Sequence, residues 1–222
     1  MQVVAEDTDE ATREDAPKAG RRRAVDGHKR GLILDAARAA FAEDGLDGAS
    51  LRAIAGRAGY TPAALYFHFP SKEALYAAVL HASLARLGAA VHAGVAPHAE
   101  PGARLHGAAL AFFDFYARNP RDLDLGFYLL RGGMKPAGLG RERDEALNTA
   151  LADALRPIAE AAEALGAPRA EADLVMVDTF AHATGLLLLL HTGRIRMFGA
   201  DATERMEGYV RARIAALGAR PR

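Results

Sequence analysis

Between positions 50 and 75 the chain gathers Ser50, Arg52, Thr61, Tyr66, His68, Ser71 and Lys72, side chains that offer hydrogen bonds and charge rather than covalent catalysis. Ser50, Thr61 and Ser71 each precede a run with helical spacing, the N-cap position where a side-chain oxygen accepts an otherwise unpaired backbone N–H. After Ser50, the residues Leu51, Ile54, Ala55 and Ala58 follow the i, i+3, i+4, i+7 pattern of one buried face. Gly59 then ends that helix in the left-handed conformation that glycine adopts cheaply. Thr61 caps a second helix, and Pro62 at its first turn lacks only an N–H that would be unpaired anyway. On this second helix Leu65 and Phe69 lie one turn apart and face a core. Ala63, Ala64, Tyr66 and His68 are left on the other faces, where they can meet a ligand. Two short capped helices around a glycine turn form a helix-turn-helix, an element that reads duplex DNA.

Other chemistries find little support. The chain has no cysteine, which removes disulfides, thiol catalysis and thiolate metal sites. His81, His92, His106, His182 and His191 include no i, i+4 pair, so no metal and no cofactor is expected. A nucleophile elbow, a glycine-rich phosphate loop and a paired-carboxylate constellation are all missing, and the chain reads as no enzyme. Lys plus Arg and Asp plus Glu both total 28, a net charge of zero that conceals segregation. Residues 6 to 15 carry six acids against Arg13, whereas Lys18 and Arg21 to Arg23 form a basic cluster. The acidic, polar N-terminus does not resemble a secretory signal, which places the chain in the cytoplasm. The apolar stretch Leu174 to Leu190 is interrupted by Asp178 and His182 and falls short of the roughly 20 residues of a membrane helix. It reads as a core or interface helix, with no membrane partner.

The elements that must position these residues are all helical. Residues 1–26 lack periodicity and read as a flexible tail ending in the basic arm. From His28 to Asp44, Leu32, Ile33, Ala36, Ala37, Ala40 and Phe41 make an amphipathic helix stopped by Gly45. A long helix follows from Ser71 toward Pro97. Further helices are predicted at Leu105 to Arg118, Pro120 to Arg131, Arg141 to Leu165, Pro168 to His191 and Ala202 to Leu217, with Pro157 expected to kink or split the third of these.

From Gly31 to Leu75 the pattern closely resembles the N-terminal DNA-binding domain of the TetR family of transcriptional regulators. The resemblance rests on Ile33-Leu34-Asp35-Ala36-Ala37, Phe41 with Gly45, Ser50 with Ile54-Ala55 and Ala58-Gly59, Leu65-Tyr66-Phe67-His68-Phe69 and Ser71-Lys72-Glu73-Ala74-Leu75. It implies an all-α chain: a three-helix helix-turn-helix domain at 27–73, then a larger helical ligand-sensing and dimerisation domain at 74–222. It further implies a ligand-responsive regulator, with a repressor expected, that binds a palindromic double-stranded DNA operator as a homodimer and is released by a small, largely apolar inducer. Carried over residue by residue, Ser50, Tyr66, His68 and Lys72 become phosphate contacts, and Thr61 donates to phosphate at the second helix's N-terminus. Base reading falls to Pro62, Ala63 and Ala64, whose apolar side chains suit a thymine methyl. Many relatives carry a hydroxyl or amide here, so Arg52 and the arm at Arg21 to Arg23 are further candidates for discrimination. In the second domain, 6 of the 15 aromatics fall within 17 residues. Phe112, Phe113, Tyr116, Phe127 and Tyr128 are therefore candidate inducer-pocket residues, with Met176, Phe180 and His182. The last two helices, with small residues Ala181, Ala183 and Gly185, are the expected dimer interface.

Overall fold

A computed structural model describes residues 10–127 and 138–219, with side chains from residue 26 onward. Among the described residues the chain is helical throughout: α1 (Glu10–Gly48), α2 (Leu51–Arg57), α3 (Pro62–His68), α4 (Lys72–Val95), α5 (Pro101–Arg118), α6 (Pro120–Gly126), α7 (Arg141–Ala164), α8 (Arg169–His191), a 3-10 turn (Arg194–Phe198) and α9 (Ala202–Gly218). The chain divides into two compact units, the first ending at Val79 and the second starting at Leu80.

In the first unit, α1 is broken at Gly45, whose φ of 71° lies in the left-handed region. The helix also reaches back to Glu10, so the backbone of residues 10–26 is helical where the sequence reading expects a tail. That stretch is rich in Ala and Arg, strong helix formers that need no apolar periodicity. Ile33, Ala37, Ala40 and Phe41 are buried, but Leu32 is exposed because it precedes the inward stripe by one position. The core closes on Ile54, Ala55, Leu65 and Phe69, with the ring of Tyr76 edge-on to Phe41 at 4.9 Å. That ring pair holds the first turns of α4 in this unit, so the boundary falls inside α4 rather than at its start.

In the second unit α5 packs against α7, α8 and α9, and α8 against α7 and α9. Leu105, Phe112, Phe113, Ile158, Leu187 and Met206 are buried at its centre. Of the expected kink or split, the split does not occur: α7 continues through Pro157, which is itself buried. A proline ring removes one N–H from the ladder, and packing of the ring offsets that loss. By length and composition alone α4 and α8 could each cross a membrane. At 23 residues α8 is longer than its apolar stretch suggested, and its packing against α7 and α9 places it in the helical unit.

One contact in this unit sets a pH dependence. The ring of His182 stacks on Tyr209 of α9 with centroids 4.1 Å apart, and its Nε2 is sealed from solvent without a hydrogen-bond partner. Burial pushes the imidazole below its ordinary value of 6.5; the Arg205 charge adds to this, and the Arg205 backbone opposes it. The folded state therefore keeps His182 neutral at a pH where the unfolded chain already takes up a proton. This stability is present above about pH 6.5 and is lost as pH falls toward the lowered value. His182→Phe retains the stack and is expected to flatten the fall in melting temperature between pH 7 and 5. A decline unchanged in the variant would assign the titration elsewhere.

Candidate nucleic-acid interface

The helix-turn-helix forms from the local signals that the sequence carries. Ser50 Oγ accepts the Ala53 N–H at 3.1 Å, and Thr61 Oγ1 accepts the Ala64 N–H at 3.2 Å. Between the helices Gly59 has φ 74°. Its N–H bonds the Gly56 carbonyl at 3.2 Å while the Tyr60 N–H reaches back to Ala55 at 2.8 Å. This paired closure is the Schellman motif, which satisfies the last carbonyls of α2 and fixes the angle at which α3 leaves. Ser71 Oγ caps α4 through the Ala74 N–H at 3.1 Å.

With Leu65 and Phe69 anchored inside, α3 turns Pro62, Ala63, Tyr66 and Phe67 to solvent. Ala64 and His68, expected on this face, are only partly exposed, because they sit one position closer to the buried stripe. Phe67 is 86% exposed, the most exposed of the large apolar side chains among the described residues. The sequence reading left it without a role. Its signal was the spacing itself, one helical turn beyond Ala63 and away from Leu65 and Phe69.

Polar groups flank this face. One cleft is lined by Ser50, Arg52, Tyr66, Ser71 and Lys72, and a second by Arg52, Gly56, Tyr60, Pro62 and Tyr66. Arg52 and Tyr66 border both. Lys72 Nζ donates to the carbonyls of Asp47 at 3.1 Å and Ala49 at 3.2 Å. Two of its three N–H groups thus tie the start of α4 to the end of α1, and one remains for a ligand. The neighbouring Arg57 is engaged with Glu43 at 2.7 Å. The whole constellation offers hydroxyls, an N-terminal helix turn and two cations around an apolar ridge.

Residues 33–79 match the model of the bacterial regulatory proteins of the tetR family. The helix-turn-helix unit is a TetR-type DNA-binding domain. It is 39% identical over 87 residues to the HTH-type transcriptional activator FasR of Mycolicibacterium smegmatis, covering 39% of this chain and 40% of that one. It is 40% identical over 86 residues to the HTH-type transcriptional repressor KstR2 of Mycobacterium tuberculosis, covering 39% and 43%. The chain therefore spans less than half the length of these curated relatives. A solved structure of a Rhodococcus sp. RHA1 protein of unknown function extends the likeness to the whole fold, with a TM-score of 0.69, 26% identity, and coverage of 86% of this chain and 95% of that one.

The second unit holds a cavity of about 280 Å³, just below the usual range for small-molecule sites of roughly 300–1,000 Å³. Its wall comes from five helices and includes Leu84, Tyr116, Phe127, Leu151, Phe180 and Thr184. Of the aromatics expected there, Tyr116, Phe127 and Phe180 line it. Phe112 and Phe113 do not, because both are completely buried in the core; Met176 and His182 also lie off the wall, and Tyr128 falls outside the described residues. Thr184 was not foreseen, and its Oγ1 is sealed from solvent with no hydrogen-bond partner. Burial, followed by the negative charge of Asp122, pushes the Tyr116 phenol well above its usual range, so it stays protonated as a donor. Asp122 is itself buried and pairs with Arg86. Along α8, Ala181 and Gly185 are exposed, whereas Ala183 is completely buried inside the unit and cannot meet a partner helix.

Proposed function

We propose that the chain is a cytoplasmic, ligand-responsive repressor that binds a palindromic operator as a homodimer and leaves it when a small, largely apolar molecule occupies the C-terminal cavity. The observation that carries the reading is the solvent-facing ridge Pro62, Ala63, Tyr66 and Phe67, set between Arg52 and Lys72 on a helix whose N-terminus is free to meet phosphate. Ser50, Thr61, Tyr66, His68, Arg52 and the remaining Lys72 N–H grip the backbone, and the ridge enters the major groove. Two copies place their recognition helices on half-sites about one helical turn apart, roughly 34–36 Å. The exposed stripe of α8 supplies the surface between copies. The repressor assignment follows the role of KstR2, one of the two relatives above.

In the cavity, apolar walls select an apolar effector, and the unpartnered Thr184 hydroxyl with the Tyr116 phenol supplies its polar anchor. Release is a population shift: moving the DNA-competent state from 99:1 to 1:99 requires a preference for the other state of about 5.5 kcal/mol.

Selection of bound duplexes from a random library by the purified full chain tests this reading, with Arg52→Ala/Tyr66→Phe as control. A palindrome enriched by the parent and lost in the control is the expected result. Salt-sensitive binding without enrichment, or no binding, overturns it. The enriched operator then serves to screen uncharged apolar compounds for release, and a promoter reporter carrying it reads repression against activation.

A further inference from the structure

Resting on the operator-binding reading, we propose that Phe67 is a specificity-determining residue and that the operator is read mainly through thymine methyl groups. A phenylalanine that is 86% exposed on a seven-residue helix contributes almost nothing to its own fold. Its neighbours on the ridge are the side chains of Ala63 and Pro62, which are equally unable to form a hydrogen bond. Tyr66 has a hydroxyl but borders both polar clefts with Arg52, which assigns it to the DNA backbone. Phe67 borders neither cleft. Helical side chains lean toward the N-terminus of their helix, so the Phe67 ring covers the surface one turn back, over Ala63. The ring of His68 lies edge-on to it at 5.5 Å and limits its swing on one side.

The face that α3 offers to base edges is therefore a continuous apolar surface of one ring, one methyl and one pyrrolidine. In the major groove only thymine presents an apolar group, its 5-methyl, and phenylalanine and alanine are suited to contact it. Held against this surface, either pair loses water from three polar groups, N7, O6 and N4 in G·C and N7, N6 and O4 in A·T, and only the thymine methyl gains a partner in exchange. Discrimination by this surface therefore rests on the methyl. Half-sites with thymines under Phe67 and Ala63 follow.

The test uses the selected operator and the intact protein. Each thymine is replaced singly by deoxyuridine, which removes the methyl and keeps the O4 acceptor and the pairing. Each adenine is replaced in parallel by 7-deazaadenine, which removes the N7 acceptor. Binding is read by fluorescence anisotropy. At one or two positions per half-site, uracil is expected to weaken binding about fourfold, the ratio equivalent to burying one carbon group at about 0.8 kcal/mol, and about fifteenfold when both half-sites are changed. The 7-deaza substitution at the same pairs leaves affinity within about twofold, a change below that of a lost hydrogen bond. Phe67→Ala, with an unchanged melting temperature, removes the uracil penalty at the position beneath the ring. Uracil without effect at every position, or a full penalty retained in Phe67→Ala, overturns the proposal while operator binding stands. Loss of affinity in Phe67→Ala without any uracil penalty, together with a bent duplex, would assign the ring to wedging between base steps and likewise overturn it. Absence of salt-dependent binding to any duplex overturns the operator-binding reading beneath it.

Discussion

Val177→Glu is expected to convert the protein to a monomer with unchanged helical content and to lower operator affinity by more than about a hundredfold, since burying an unpaired carboxylate costs several kcal/mol. Val177 lies on α8 in the stripe Leu174, Val177, Ala181, Gly185 and Leu188, spaced by three and four residues so that all share one face. Leu174 is 61%, Val177 53% and Leu188 51% exposed, an apolar run that a monomer gains nothing by displaying. The small residues at the middle of the stripe allow a second helix to approach closely. Asp178 pairs with Arg213 of α9 at the border of the stripe, and gives it a charged rim. In a two-fold dimer the same surface meets itself, so a single substitution places two carboxylates at the contact. The half-exposed position of Val177 leaves the fold of each copy intact. On the proposed two-fold operator reading a monomer would hold one half-site only, which is why affinity is expected to fall when assembly is lost. Light scattering and operator titration of the variant, with Val177→Leu as control, check this. A dimer that survives Val177→Glu would remove the stripe from the interface.

What was legible in advance follows the range of the interaction that fixes it. Ser50, Gly59, Thr61 and Ser71 act within four residues of their own position, and the caps and the Schellman closure stand where their spacing put them. Gly45 likewise marks the end of the first amphipathic run. The helix back to Glu10 was missed because intrinsic propensity without apolar periodicity looks like a tail. Phe67 was missed because an aromatic between Leu65 and Phe69 looks like core, and only the geometry of a helix two turns long separates the three. The cavity wall was the least legible. Phe112 and Phe113 make a conspicuous aromatic pair, yet their direction is set by α7 and α8, and five helices decide which residues border the open space. Thr184 carries no local sign of its role, since its significance lies in the partner it lacks.

Gly107→Ala is expected to destabilise the second unit by up to about 2 kcal/mol, the difference between an overpacking cost of roughly 1–3 kcal/mol and a helix-propensity gain near 1 kcal/mol. Glycine inside α5 should be a weakness, and an alanine there should ordinarily strengthen the helix. Here a Cβ at Gly107 would lie 2.2 Å from the carbonyl oxygen of Gly94 on α4, and a Cβ at Gly94 would meet Ala111 and the Gly107 carbonyl, each at 2.7 Å. The obstructing atoms are backbone, so no rotamer change relieves them. Two helices that touch through facing glycines must separate or shift along each other, and interiors packed as densely as a crystal transmit that shift. Gly208→Ala on α9 provides the contrast, because its new methyl would meet only the flexible end of Arg205 at 3.4 Å. Denaturant unfolding of the two variants should therefore give opposite signs, with Gly208→Ala unchanged or slightly stabilised. The same sign for both would mean that α4 and α5 can part at that point without cost, and that the glycine pair is not what sets their approach. The pair lies more than a turn from every residue of the cavity wall, so the expected loss reports packing alone, separate from any change in effector binding.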